Sequence, residues 1–569
     1  MTLTSDTWLT PYERGNQNQT THWRECIEFY EMLARKFPQI LQFKQIGVSD
    51  SGIPIHSGIL TQDGVFERSL LQAAGRPIFF NNNGIHPGEP EGIDACMALI
   101  RDFCTKPEHL AQLGPTVYLF IAIYNVDGCH NRNTSSRVNQ DGPESFGFRG
   151  NSLHLDLNRD FIKCDSLAAQ CFNQFFSAWQ PDVMVDTHTS NGADYPYTMT
   201  LIPTQPDKLG GELGQFLRAT MLPTIYDEMA QRGWPTCPYV NPVQTSPDQG
   251  IADFLEVPRF STGYATLHHC IGFMPETHML KPFADRYESM YTLLQVILEF
   301  TVRHGAQIQA LRRAAQQQVR SSWPVCWETD MKRPSRLRFR GFAAVYRPSL
   351  LGNYQRLAYD RNQVWEQEID HFDRCLTRVE VSAPKAYVIP QQWRAVIERL
   401  LWNGVRMTRV EQAQSVAAQI WRISRVASRG GPYEGHLFHD EVELASRQEE
   451  VMLQPGDYWL DLNQPNARYA VETLEPQAHD SFFRWGFFNS VLEKKEAYSD
   501  YVFEDHALEL LQTEPALRSQ FEAWKVANPD LLGNQSEVLD FIFSHCERYR
   551  EPEWRRYPVV RIMACPQTR

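Results

Sequence analysis

The chain has 569 residues, with 55 Lys+Arg against 68 Asp+Glu, a formal charge of −13 and a pI near 5.8. A content of 42% hydrophobic and 22% charged residues excludes wholesale disorder, and the acidic balance excludes a protein built to hold a nucleic-acid backbone. The length exceeds what one core ordinarily supports, so two or more domains are expected. No apolar run approaches the roughly 20 residues needed to span a bilayer, so no membrane partner is expected. The first twenty residues have neither a basic n-region nor an apolar h-region, and no secretory signal is expected. Twelve cysteines are scattered singly, without a CxxC pair or zinc-ribbon spacing. They read as small buried hydrophobes in a reducing cytoplasm.

In chain order, the runs 77–83, 116–125 and 182–188 predict fully buried strands, each rich in β-branched or aromatic residues and bounded by turn residues. Helical spacing of apolar residues predicts helices over 92–104 and 166–179 between them, and a long helix over 284–318. Strand and helix in alternation imply an α/β unit, with a mostly parallel or mixed central sheet and helices on both faces, over residues 1–320. Past it, 336–346, 374–383, 415–426 and 457–463 predict strands and 391–404 a helix. Residues 321–569 are therefore expected to form an α+β extension, β-rich over 330–475 and helical over 480–569, beginning with the SFFRWGFFNSVLEKK run.

Four places carry metal-site or acid–base chemistry. The first is His86 with Glu89 in NNNGIHPGEPEG. A strand anchors the pair and Pro87–Gly88 supply a turn. Imidazole nitrogen and carboxylate oxygen are ordinary zinc ligands, and a catalytic site needs three protein ligands plus water. The HxxE spacing recurs at His22/Glu25 and His506/Glu509, both within helical patterns where such pairs are surface neighbours; only the first follows a buried strand. The second place is His188, at the end of the 182–188 strand, where open α/β sheets put ligands. A strand-end His is also a common core residue. Asp186 and Ser190 flank it and could orient the ring. The third is DLNRD, in which Asp156 could accept the remaining N–H of a metal-bound imidazole, while Asn158 and Arg159 suit a carboxylate clamp or an ordinary loop salt bridge. The fourth is Glu276, after Pro275, readable as a site acid or as a helix N-terminal charge.

The order HxxE, then NVDG (125–128), then DLNRD, then a strand-end His, then a late Glu resembles the zinc carboxypeptidases of the funnelin type, over roughly residues 40–300. The resemblance implies a single zinc ion held by His86, Glu89 and His188, with Asp156 accepting from His86. It implies Glu276 as general base, and Asn158 and Arg159 as the clamp for a substrate's terminal carboxylate. Arg149 resembles the arginine that stabilises the oxyanion, with Arg137 the second candidate. The family's mobile tyrosine lies further upstream of the base than Tyr264 does, and Tyr264 is the nearest match. A peptide losing its C-terminal residue is the implied substrate. An N-acyl amino acid, which also offers an amide and a free carboxylate, is the alternative, and a non-catalytic metal-stabilised scaffold the alternative of another class. In the extension, PYEGHLFHDEV, VETLEPQAHDSFFRWGFF and YVFEDHA resemble segments of larger members of this family, with no chemistry attached. His436 and His439 could pair on a second metal, although exposed paired histidines ordinarily bind nothing. The aromatic run 482–488 reads as packing between the two parts.

Overall fold

The apolar runs of the first half line up as the middle of one sheet in the computed structural model, which describes residues 8–549 and 551–563. Its strands are β1 (Leu41–Val48), β2 (Pro54–Leu60), β3 (Ile78–Asn82), β4 (Val117–Ile121), β5 (Val183–Asp186), β6 (His188–Ser190), β7 (Met199–Pro203), β8 (Thr236–Pro238) and, after a short β9 (Ile251–Ala252) that belongs to another sheet, β10 (Ile271–His278). The order is β1-β2-β4-β3-β5-β10-β7-β8, with β6 beside β10. The middle, β4-β3-β5-β10, is parallel, and the flanks at β1-β2-β4 and β10-β7 are antiparallel.

Every residue of β3, β4 and β5 is buried, because both faces of the sheet are covered. Side chains alternate along β3. Phe80 meets Phe172 and Phe176 of helix Leu167–Trp179. Phe79 lies against Tyr118, which in turn meets Phe103 of helix Glu91–Thr105. That second helix packs closely beneath the site, since a Cβ on Gly92 would collide with Thr187. The 35-residue helix Phe283–Gln317 closes the same side. Among the described residues no helix is long and apolar enough to cross a membrane. The described cysteines are all unpaired, and all but Cys375 are buried; Cys565 and residues 1–7 lie outside the described residues.

The remaining strands are β11 (Ser322–Thr329), β12 (Ser335–Pro348), β13 (Gln355–Phe372), β14 (Cys375–Ser382), β15 (Ala386–Ile389), β16 (Thr408–Arg409), β17 (Gln414–Ser428), β18 (His439–Leu453), β19 (Tyr458–Asp461) and β20 (Val560–Ile562). β12 and β13 form a long hairpin whose second strand adds onto β9. A six-stranded sheet runs β16-β19-β15-β20-β17-β18. Helices Asp500–Thr513, Pro515–Ala527 and Gln535–His545 share a small apolar cluster of their own.

In the extension the structure differs from the sequence-based expectation in its strands and at residues 481–488. β13 and β18 were not expected: most of their residues are exposed or half-exposed, so no apolar alternation marks them. Residues 481–488 are turns rather than helix, and only a short 3₁₀ turn, Asn489–Leu492, follows before the helix at Asp500. Gly486 has φ +80°, and Phe482, Phe483, Trp485 and Phe488 are all buried, so the run has no solvent face for a helix to present. Those four side chains lie in one continuous apolar cluster with Phe172, Tyr264 and Leu293 of the first half.

A buried ion pair crosses the same boundary. Arg259 Nε stands 2.8 Å from Asp480 Oδ1, and the Arg259 backbone N–H donates to Asp480 Oδ2 at 2.8 Å. The guanidinium lies over Phe438, Trp485 and Tyr433 at 4.5, 5.1 and 5.4 Å. Arg259→Met leaves the fully buried Asp480 carboxylate without its cation, and a loss of about 3–5 kcal/mol is expected in urea unfolding. A midpoint equal to wild type would show that the pair contributes nothing net.

Candidate metal centre

Three strand ends supply the site. β3 runs on to His86, whose carbonyl accepts the Glu89 N–H at 2.8 Å, so the pair closes a tight turn before the helix that begins at Glu91. β6 begins at His188. β10 carries Glu276, in register with His188 on one side and Thr200 on the other. His86, Glu89 and His188 are each 2% exposed, and one ligand atom from each lies within 4.8 Å of the others.

The imidazole tautomers are set from behind. His86 Nε2 and Asp156 Oδ1 are 2.8 Å apart, and His188 Nε2 and Asp186 Oδ2 are 2.8 Å apart. Each ring donates from Nε2 to a carboxylate, which leaves the Nδ1 lone pair facing inward. His86 Nδ1 is buried without a hydrogen-bond partner; its nearest Glu89 oxygen is 3.4 Å away. His188 Nδ1 stands 3.1 Å from the other Glu89 oxygen. An orphaned nitrogen beside a second imidazole and a carboxylate is a donor set that fits a divalent ion such as zinc.

The electrostatics suit a cation. Burial would raise Glu89, but the His86 ring, the Arg137 guanidinium and the hydrogen bond to His188 hold its carboxyl well below the usual range. Asp156 behaves likewise: burial opposes ionisation, and His86, Arg149 and Arg159 overcome it. Glu276 stands apart. It is half-buried in the cleft wall, and burial followed by the charge of Glu89 pushes its carboxyl above the usual carboxylate range, against His188 and Arg149. A carboxyl biased toward holding a proton beside a metal-ligand set can exchange protons with a bound water.

The arginines gather in the same cleft, a cavity of about 600 Å³. Arg149 places Nε and Nη2 each 2.9 Å from Asp156 Oδ2. Arg137 Nη1 is 2.9 Å from Glu89 Oε1, so the structure brings both candidates for the oxyanion arginine to the metal ligands. Asn125 of the NVDG segment helps to place Arg149: its amide donates to the Arg149 carbonyl at 2.9 Å and its oxygen accepts the Gly128 N–H at 2.9 Å. Asn158 and Arg159 also line the cleft. The Asn158 oxygen accepts the Ser261 N–H at 3.1 Å, and the Arg159 guanidinium lies 4.3 Å above the Phe260 ring.

Tyr264 is the expectation that the structure corrects. It lies on helix Ser261–Leu267, is 0% exposed, and donates its hydroxyl to Asn403 Oδ1 at 2.6 Å. Its ring packs against Phe161, Phe176 and His268, so it is a core residue and not part of the cleft. The tyrosine that does line the cleft is Tyr239, which follows β8. Burial and the carboxylates of Glu276 and Glu89 push its hydroxyl upward. Nothing in CPYVNP marks it, because the loop that carries it reaches the site only through the tertiary fold. The two extension histidines do not pair on a metal: His436 Nε2 is 2.7 Å from Asp165 Oδ2, and His439 Nε2 is 2.7 Å from Asn489 Oδ1.

Two imidazoles and a carboxylate at the strand ends of an open α/β sheet, with a free acid and a cluster of arginines around one cleft, define a mononuclear metal-dependent hydrolase. The zinc carboxypeptidase family matches residues 26–202, a span that includes all three ligand residues and the NVDG and DLNRD segments. Over those residues the chain resembles that family. Among curated proteins it is similar to carboxypeptidase 2 of Trichophyton rubrum, at 22% identity over 423 residues that cover 71% of this chain and 72% of the relative. It is similarly related, at 22%, to carboxypeptidase 2 of Trichophyton equinum. Among solved structures, a metallo-carboxypeptidase from Burkholderia cenocepacia aligns with a TM-score of 0.38 and 13% identity, over 51% of this chain and 70% of that one.

Proposed function

We propose that this protein is a cytoplasmic zinc exopeptidase that removes the C-terminal residue of peptides. Residues 1–320 carry the chemistry and residues 321–569 form the extension. The observation that carries the reading is the conjunction in one cleft of an oriented His-Glu-His set with the Asn158–Arg159 pair. In it, His86, Glu89 and His188 hold the zinc, and Asp156 and Asp186 hold the two rings. Zinc held there would supply a Lewis acid and a more acidic water. Glu276 is the carboxylate placed to take up a proton in the cleft and return it to the leaving amine. Arg149 donates to the carbonyl oxygen as it gains charge. Asn158 and Arg159 hold the terminal carboxylate, bidentately at the guanidinium, which places the last peptide bond beside Glu276. The described cysteines, unpaired and mostly buried, support a reducing compartment.

Substrate preference follows from what is left of the cleft lining once these groups are assigned. Ile202, Tyr239, Phe254, Met274 and Met279 are neutral and mostly apolar, Ser136, Asn139 and Asn191 are polar but uncharged, and the charged group left over, Arg137, is already paired with Glu89. Peptides ending in neutral residues are therefore favoured over those ending in Lys or Glu by about tenfold or more, because a charged side chain would be desolvated there without a partner. Mass spectrometry of a defined peptide mixture reads both points. Single C-terminal residues are lost, peptides with an amidated C-terminus stay intact, and neutral ends disappear first. Cleavage of amidated peptides at the same rate would remove the clamp from the reading.

A further inference from the structure

The extension reaches the metal centre at one residue. Between β17 and β18 the chain turns through Tyr433-Glu434-Gly435-His436, closed by Tyr433 N–H to His436 O at 2.8 Å and His436 N–H to Tyr433 O at 3.0 Å. From this turn Glu434 Oε2 accepts the backbone N–H of Asp156 at 2.9 Å, across 278 residues of chain. Asp156 is the hub of the site: Oδ1 accepts from His86 and from the Asn158 N–H at 2.8 Å each, and Oδ2 accepts from Arg149. Asp156 also precedes the 3₁₀ turn Leu157–Arg159, which carries the clamp.

We propose that Glu434 is a positioning residue for the metal centre, fixing the Asp156 backbone so that its carboxylate orients His86; this rests on reading His86 as a zinc ligand. Three further observations support it. The turn is held on both sides, by His436 on Asp165 at 2.7 Å and by Arg259 packed over Tyr433. Asp165 is itself held by Arg399 at 3.2 Å, so the extension grips the segment that follows the clamp as well. Glu434 and Gly435 have φ of +49° and +83°. Successive positive φ values in a two-residue hairpin turn favour Asn-Gly, and Glu is an uncommon occupant of the first position. The residue that would ease the turn is one methylene too short to hold Asp156, so the side chain present suits the contact rather than the backbone.

Glu434→Asn separates the two roles, because it suits the turn and withdraws the acceptor. In the full-length protein, zinc affinity from chelator competition and turnover are both expected to fall about 10-fold or more. The visible spectrum of the cobalt-substituted protein is expected to shift, while thermal stability is held or raised. Glu434→Gln, which keeps an acceptor oxygen at the same reach, is expected to restore affinity, spectrum and turnover. Wild-type affinity and spectrum in Glu434→Asn would overturn the inference, as would equal losses in the Gln and Asn proteins. His86→Ala run beside them tests the underlying reading: zinc lost there but retained in Glu434→Asn defeats only the role of Glu434, whereas zinc retained in His86→Ala defeats the ligand assignment as well.

Discussion

Glu276→Gln is expected to retain zinc and fold while losing about 10²–10⁴ in turnover, the range ascribed to a positioned acid–base group. The substitution is nearly isosteric, and the backbone of β10 stays paired with β6 and β7 on either side. Glu276 is not one of the three residues that converge on the ion. What the change removes is the ability to take a proton from water and hand it to the leaving amine. The loss belongs in kcat with KM little altered, because the proposed mechanism assigns the terminal carboxylate to Asn158 and Arg159. Zinc content and melting temperature measured alongside separate a chemical defect from a folding one. Turnover within a few-fold of wild type would take Glu276 out of the mechanism.

The second large effect is loss of the metal. Chelation is expected to abolish turnover, and added zinc to restore it, with secondary structure unchanged. Without the ion Glu89 still has Arg137 at 2.9 Å and accepts the Thr189 N–H at 2.8 Å, so the turn it closes stays supported. His188→Ala is expected to be more damaging than chelation. It removes a ligand and also strips the fully buried Asp186 of its imidazole, leaving only the Asn82 amide at 2.9 Å. An unfolding free energy lower by about 3–5 kcal/mol is expected in addition to the loss of zinc. Metal analysis and urea unfolding check the two parts independently; a His188→Ala protein that binds zinc as tightly as wild type would exclude His188 as a ligand.

The extension is joined to the catalytic half by apolar and ionic contacts rather than tethered to it. The aromatic run at 482–488 is continuous with the first half's core, Arg259 pairs with Asp480 across the junction, and Glu434 reaches Asp156. The proposed role of Glu434 would make the chemistry of the first half dependent on the second, which is what the Glu434 variants measure.

Local chain chemistry made much of the candidate site readable. A buried apolar run followed by a turn ends in a fixed place, so residues such as His86, Glu89 and His188 could be assigned to strand ends from neighbours alone. DLNRD was legible for a similar reason, since Asp156, Asn158 and Arg159 lie within one short turn. The long helices were marked by their period. The tertiary structure alone decided which tyrosine reaches the cleft, because Tyr239 and Tyr264 sit in equally ordinary surroundings and only packing buries one on Asn403 and exposes the other beside Glu276. It decided that Arg137 joins Arg149 at Glu89, since the loop between Asn125 and Arg149 has no period to betray its path. It also decided that β13 and β18 are strands, as their hydrogen bonds depend on partners rather than on an apolar face. Above all it decided the meeting of Glu434 with Asp156: a contact between residues 278 apart follows from how two surfaces pack, and no local pattern of side chains encodes that.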